Sequence, residues 1–316
     1  MNNPFKVVIY FVLILICGCT ILIPIKVGPA PDIKIEITEG RVARGEYLAR
    51  AVTGCFDCHS EHKWDNYAIP IVEGTEGKGG ECFGEELGVP GTVCLSNITP
   101  YGLGNWTDGE IFRAIVSGVN KDGDAIFPMM PYLSYARMTE EDVYSIIAYL
   151  RTLKSIPSDV KTGKLKFPLK YIIRTIPKEY VPQTKPDPTD EVAYGEYLIT
   201  IAGCIGCHTP MKGPNLIEGM EYAGGSDHPM PGGFLVRSSN ITPDEDTGIG
   251  DWDRDDFIER FKEYASPDAK HTPVYNNRNT TMGWTSYAEM TEEDLGAIYA
   301  YLMTLNPIKN DVEIYP

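Results

Sequence analysis

The sequence predicts an all-α fold, built twice in one chain behind a single apolar N-terminal segment. Three observations carry that expectation. Apolar residues recur at helical spacing behind threonine and aspartate caps, and no stretch sustains the period-two alternation of a half-buried strand. The second half of the 316 residues also repeats the first in the same order. The length is twice the usual domain size or slightly less, about 100–200 residues. With 43% hydrophobic and 23% charged residues, the chain has apolar material for a core in each half.

From Val7 to Ile25 the chain carries no charge. That is long enough for one membrane-spanning helix and longer than the roughly 7–15 apolar residues of a cleaved signal. Lys6 precedes the run and an acidic body follows, so the positive-inside tendency places the body outside the cytoplasm. The expectation is an anchor over 1–26, single-pass in a bacterial cytoplasmic membrane, with soluble domains on the periplasmic or outer side. The rival reading is a lipoprotein signal with Cys19 acylated; against it, Thr20 to Ile25 stay apolar where a polar tether is expected.

The first repeat unit spans 38–153 and the second 191–316. Val42-Ala43-Arg44-Gly45-Glu46-Tyr47-Leu48 returns as Val192-Ala193-Tyr194-Gly195-Glu196-Tyr197-Leu198. In the first unit this segment opens a helix predicted from about Arg41 to Val52. Ser96-Asn97-Ile98-Thr99-Pro100 returns as Ser239-Asn240-Ile241-Thr242-Pro243, and Gly102 to Trp106 as Gly248 to Trp252. A middle helix should start at Thr107, with Glu110 as capping partner, and its counterpart at Asp253 with Asp256. The closing helices should start at Thr139 and Thr291, with Asp142 and Asp294 completing capping boxes. Behind them Val143, Ile146, Ile147, Leu150 and Leu153 form one apolar face, matched by Leu295, Ile298, Tyr299, Leu302 and Leu305. Between the units, 154–190 holds six prolines and eight basic residues, which reads as a linker lying across two acidic domains.

Each unit carries a Cys-x-x-Cys-His pentapeptide: Cys55-Phe56-Asp57-Cys58-His59 and Cys204-Ile205-Gly206-Cys207-His208. This spacing is the attachment signature of c-type haem, two thiols meeting two vinyl groups and the histidine lying under the iron. A zinc ribbon would need both cysteine pairs in one small unit, and a thioredoxin-like dithiol needs a βαβ context that the sequence lacks. The expected cofactors are therefore two covalently bound haem c, on Cys55 and Cys58 and on Cys204 and Cys207, with His59 and His208 as iron ligands.

On these motifs, the chain after residue 38 resembles the membrane-associated dihaem members of the class I cytochrome c family. It is similar to the cytochrome c subunits of bacterial alcohol and gluconate dehydrogenases, which typically carry three haem motifs where this chain has two. The resemblance implies two tandem cytochrome c domains, a haem-edge loop of the Asn-Ile-Thr-Pro type and a methionine closing each iron. Met130, directly before Pro131 and Tyr132, holds the family position, with Met129 as the alternative. Met282 sits 152 residues further on, the same offset that separates Asp142 from Asp294. Met138 and Met290 also register, beside helix caps, where packing is expected. Of the remaining histidines, His62 is expected to be solvated, and His228 and His271 lie in polar loops. Cys82 and Cys94 can close a disulfide in an oxidising compartment. Asn97 and Asn240 match glycosylation acceptors, but their repeat position favours the haem-edge loop.

The net charge is −16, and because the first 26 residues hold two lysines and no acid, −18 falls on the rest. That field excludes nucleic acid and favours a basic protein partner. The expected function is single-electron transport outside the cytoplasmic membrane, with no catalytic residues. The donor would be a dehydrogenase or a quinol-oxidising complex, and the acceptor a cytochrome or terminal oxidase. The alternative readings are a dihaem peroxidase or thiol-oxidising cytochrome, which need an open iron site, and an integral subunit of a dehydrogenase complex.

Overall fold

A computed structural model describes residues 24–213 and 215–316. The segment on which the anchor rests lies almost wholly outside the described residues. Among those described, no helix is long and apolar enough to cross a membrane, so the expected single-pass membrane placement is corrected.

Helix α1 (Glu39–Tyr47) starts where the Thr38 hydroxyl accepts from the Arg41 amide, and a π-helical turn over Leu48–Val52 continues it. Gly54, at φ +58°, then turns the chain into α2 (Cys55–Cys58). Strand β1 (Cys82–Phe83) pairs antiparallel with β2 (Gly91–Cys94). The short α3 (Pro100–Leu103) leads to α4 (Asp108–Ser117), where Thr107 and Glu110 close the reciprocal capping box. A single turn, α5 (Tyr132–Tyr135), precedes the long α6 (Glu140–Thr152). The proline-rich segment is a packed strap: β3 (Lys164–Leu165) adds to β2, α7 (Leu169–Ile172) follows, and Ile173 is buried.

The second unit repeats the order with α8 (Glu191–Ile201) and α9 (Cys204–His208). Two hairpins follow, β4 (Met211–Lys212) with β5 (Asn215–Leu216) and β6 (Asp227–Pro229) with β7 (Leu235–Arg237). Helix α10 (Arg254–Lys262) carries the Asp253–Asp256 capping box; α11 (Trp284–Tyr287) and α12 (Glu292–Leu302) close the unit.

The all-α expectation is therefore corrected: three small antiparallel sheets accompany the helices among the described residues. Their strands are two to four residues long, too short for side-chain alternation to leave a period in the sequence. Backbone pairing and loop closure define them instead.

In each unit the first and last helices cross at a glycine. A Cβ on Gly45 would lie 1.9 Å from the Ser145 carbonyl oxygen on α6, and one on Gly195 would lie 1.8 Å from that of Ala297 on α12. Leu48, Ile146 and Ile147 in one unit, and Leu198, Leu295 and Leu302 in the other, are almost completely buried around these crossings.

The units also complete each other. Tyr47 of α1 donates to Asp294 at the start of α12 (2.6 Å), while Tyr197 of α8 donates to Asp142 at the start of α6 (2.7 Å). The same two hydroxyls accept from the cap amides of Thr291 and Thr139. The predicted caps at Thr139 and Thr291 form on the threonine side, but both aspartates, themselves buried, bond these tyrosines of the other unit instead. Arg44 adds a forked ion pair to Asp142 at 3.0 and 3.1 Å. Burial by itself would raise the Asp142 carboxyl; the Arg44 guanidinium and Tyr197 hydroxyl hold it below the ordinary carboxylate value.

Candidate haem sites

Each Cys-x-x-Cys-His motif forms a short helix introduced by a left-handed glycine, Gly54 or Gly203. His59 and His208 are then held by equivalent contacts. His59 Nδ1 lies 2.7 Å from the Ser96 carbonyl and His208 Nδ1 lies 2.8 Å from the Ser239 carbonyl. A carbonyl can only accept, so Nδ1 carries the proton and Nε2 keeps its lone pair. Burial pushes both imidazoles down, towards the neutral form that ligates iron. The thiols are not bridged to one another, and burial raises Cys55 to about 11 and Cys58 and Cys204 to about 12.

A cavity of about 770 Å³ opens beside Cys55, Cys58 and His59. Its walls include Leu95, Ile98, Trp106, Ile111 and Leu150, and both Met129 and Met130 reach it. Two thiols, one imidazole with a bare nitrogen, and a thioether around one apolar cavity are the donor set a covalently attached haem requires.

Met130 and Met282 occupy matching turns. The carbonyl of Met130 accepts from the Tyr132 amide and that of Met282 from the Trp284 amide, each at 2.8 Å, directly before α5 and α11. Met138 and Met290 are fully buried packing residues.

The Asn-Ile-Thr-Pro loops are built alike. Asn97 Oδ1 accepts from the amide and hydroxyl of Thr99, and Asn240 Oδ1 from those of Thr242. Both asparagines are buried, so neither presents its amide as a glycan acceptor. Gly79 and Gly224 donate their amides to the carbonyls of His59 and His208. Both have positive φ, and a Cβ on either would strike the loop backbone beside Ser96 or Ser239. Sequence comparison passed over this glycine pair because the loops around it differ in length.

Cys82 and Cys94 are disulfide-bonded, and Cys94 borders the first cavity two residues before Ser96. His62 is not solvated as expected. Its side chain is buried, with Nδ1 2.6 Å from Glu81 and Nε2 2.8 Å from the Asp57 carbonyl. His271 is exposed, and burial lowers His228.

The two motifs adjoin. Asp57, inside the first pentapeptide, accepts from Ser286 of α11, just beyond the Met282 turn. Burial raises its carboxyl to about 6. Reciprocally, Pro131 and Ser134, just beyond the Met130 turn, lie against Gly203 at the head of the second pentapeptide. The sequence held no signal for these contacts, since each joins residues more than 60 positions apart.

A unit with Cys-x-x-Cys-His, a carbonyl-oriented histidine and a methionine turn at the same register in both copies is the arrangement of a c-type cytochrome. The relatives agree. The chain is 31% identical over 285 residues to the cytochrome c subunit of a quinone alcohol dehydrogenase of Gluconacetobacter polyoxogenes, covering 84% of this chain and 56% of the relative. It is 30% identical over 293 residues to the gluconate 2-dehydrogenase cytochrome c subunit of Pantoea cypripedii, covering 85% and 60%. A dihaem c-type cytochrome of Cereibacter sphaeroides is 28% identical over 294 residues, covering 88% and 90%. No protein-family model matches the chain. The chain is similar to these c-type cytochromes, a likeness that implies covalently bound haem c, and it spans a little over half the length of the dehydrogenase subunits it matches.

Proposed function

We propose that the chain binds two haem c groups and relays single electrons between a dehydrogenase and a downstream cytochrome or oxidase. The observation that carries the reading is the doubled site, with the same histidine–carbonyl pair and the same methionine turn in both units. Cys55 and Cys58 would hold one group and Cys204 and Cys207 the other, with His59 and Met130, and His208 and Met282, as axial ligands. One-electron exchange at iron is the chemistry the groups supply.

The protein's own part is positional. Ser96 and Ser239 fix the imidazole tautomers, the apolar walls of the first cavity exclude water, and a methionine thioether bound to each group would favour its reduced state. The contacts of Asp57 with Ser286 and of Gly203 with Pro131 support placing the two groups in series. A methionine in both units weighs against an open catalytic iron. The Cys82–Cys94 disulfide supports an oxidising compartment outside the cytoplasm.

A haemochrome assay should give two haems per chain, and one would sink the reading. The oxidised protein should show the weak sulfur-to-iron band at the red end of the spectrum. Met130→Ala and Met282→Ala should each remove part of it and lower one potential. An unaltered band in the first variant and its loss in Met129→Ala would reassign that ligand.

A further inference from the structure

The two units differ in charge at one equivalent position. Asn97 donates its side-chain amide to the Ile156 carbonyl (2.8 Å), and Asn240 donates to the Ile308 carbonyl (2.7 Å). Both segments then run beside a strand. Lys164 pairs with Thr92 of β2, and the Ile314 carbonyl accepts from Arg237 of β7. This alignment sets Asp159-Val160-Lys161 against Asp311-Val312-Glu313. Lys161 and Glu313 are both exposed, and Lys161 lines the opening of the first cavity. Beyond Lys161 the strap adds exposed Lys164, Lys166 and Lys170 around Phe167, which is 74% exposed. Of the nearby acids, Asp159 is exposed on the rim, Glu85 is paired to Lys166, Glu61 to Lys78 and Glu81 to His62.

We infer that the basic strap at the mouth of the first site is the docking surface for a redox protein with an acidic face. The inference rests on the electron-relay reading and names the partner chemistry of one end of the relay. On a chain of net charge −16, a local basic patch beside a cofactor opening selects a partner of opposite sign, by steering and by repelling wrong faces. Exposed Phe167 among lysines gives that patch the apolar centre and charged rim of a protein interface. At the aligned position of the second unit, Asp311 and Glu313 would repel the same partner, so the two ends of the relay are distinguished by sign.

The test uses the fully loaded protein and two probes, the acidic blue-copper protein plastocyanin and a basic soluble cytochrome c. With the reduced protein, one electron passes from ferrous iron to Cu(II), leaving ferric iron and Cu(I). The second-order rate should fall steeply as salt rises. Lys161→Glu with Lys164→Glu should lower it about tenfold at low salt and flatten the salt dependence. Binding of oxidised plastocyanin to the oxidised protein, where no electron moves, should weaken in parallel. Glu313→Lys should raise the plastocyanin rate.

An unchanged plastocyanin rate in the double variant overturns the docking surface, as does an equal loss with the basic cytochrome. Lysine-dependent cosedimentation with phosphatidylglycerol vesicles, without any effect on plastocyanin, assigns the strap to a lipid surface and also overturns it. Failure of the parent protein, loaded and reduced, to reduce either probe or ferricyanide is a different result: it sinks the relay reading itself.

Discussion

The two units hold the same imidazole–carbonyl contact by different means. In the first, the Ser96 carbonyl follows β2, which is stapled to β1 by the Cys82–Cys94 disulfide and flanked by β3 of the strap. In the second, the Ser239 carbonyl follows β7, held by hydrogen bonds to β6 and to Ile314. The two histidine contacts differ by only 0.1 Å, 2.7 against 2.8 Å. The comparison teaches that the position of one carbonyl is the shared structural requirement, and the loop that delivers it is free to differ.

The largest test of this comparison is to empty one unit. Cys204→Ala with Cys207→Ala should halve the haemochrome value and leave the first unit's spectrum in place. Loss of both haems would show that the units do not load separately. Next are the crossings. An exposed helical glycine replaced by alanine gains about 1 kcal/mol, but Gly45→Ala and Gly195→Ala should each cost about 2 kcal/mol or more, because the added methyl meets a carbonyl. Denaturant unfolding measures both, and a stabilised variant would break the shared geometry.

Removing the staple distinguishes the units. Cys82→Ala with Cys94→Ala should cost about 2–3 kcal/mol and shift only the first haem's potential in a redox titration. The smallest effect concerns the reciprocal tyrosines. Tyr47→Phe should cost about 2 kcal/mol and Tyr197→Phe about 1, since Arg44 still serves Asp142 in the second case. The Arg44–Asp142 contribution has a defined pH window. The folded carboxyl titrates below its ordinary value of 3.8, so the stabilisation is present above that pH and is lost as pH falls through the folded value. Arg44→Gln should therefore lower stability near pH 7 and make little difference in strong acid.

The helices were legible because caps and apolar stripes are local. Thr107 with Glu110 and Asp253 with Asp256 formed the boxes their spacing implies. The register of Met130 with Met282 was legible because the repeat preserves offsets through the last third of each unit. Sheets were missed because Cys82–Phe83 and Lys164–Leu165 are pairs of residues with no period to detect. His62 was misread because its partner, Glu81, arrives from the far end of a glycine-rich loop. The half-formed boxes at Asp142 and Asp294 show a local rule yielding to a distant one: a carboxylate that could bond its own helix start bonds a tyrosine from the other unit instead.

Those tyrosines have a consequence for how the chain can be divided. Tyr47 to Asp294 and Tyr197 to Asp142 are the same contact made twice in opposite directions, the isologous pattern of a two-fold dimer, here written into one polypeptide. Each half thus starts its own closing helix with a group owned by the other. Cutting the strap should give fragments that reassociate in a one-to-one complex, and a substitution at either tyrosine is felt in the half that does not contain it.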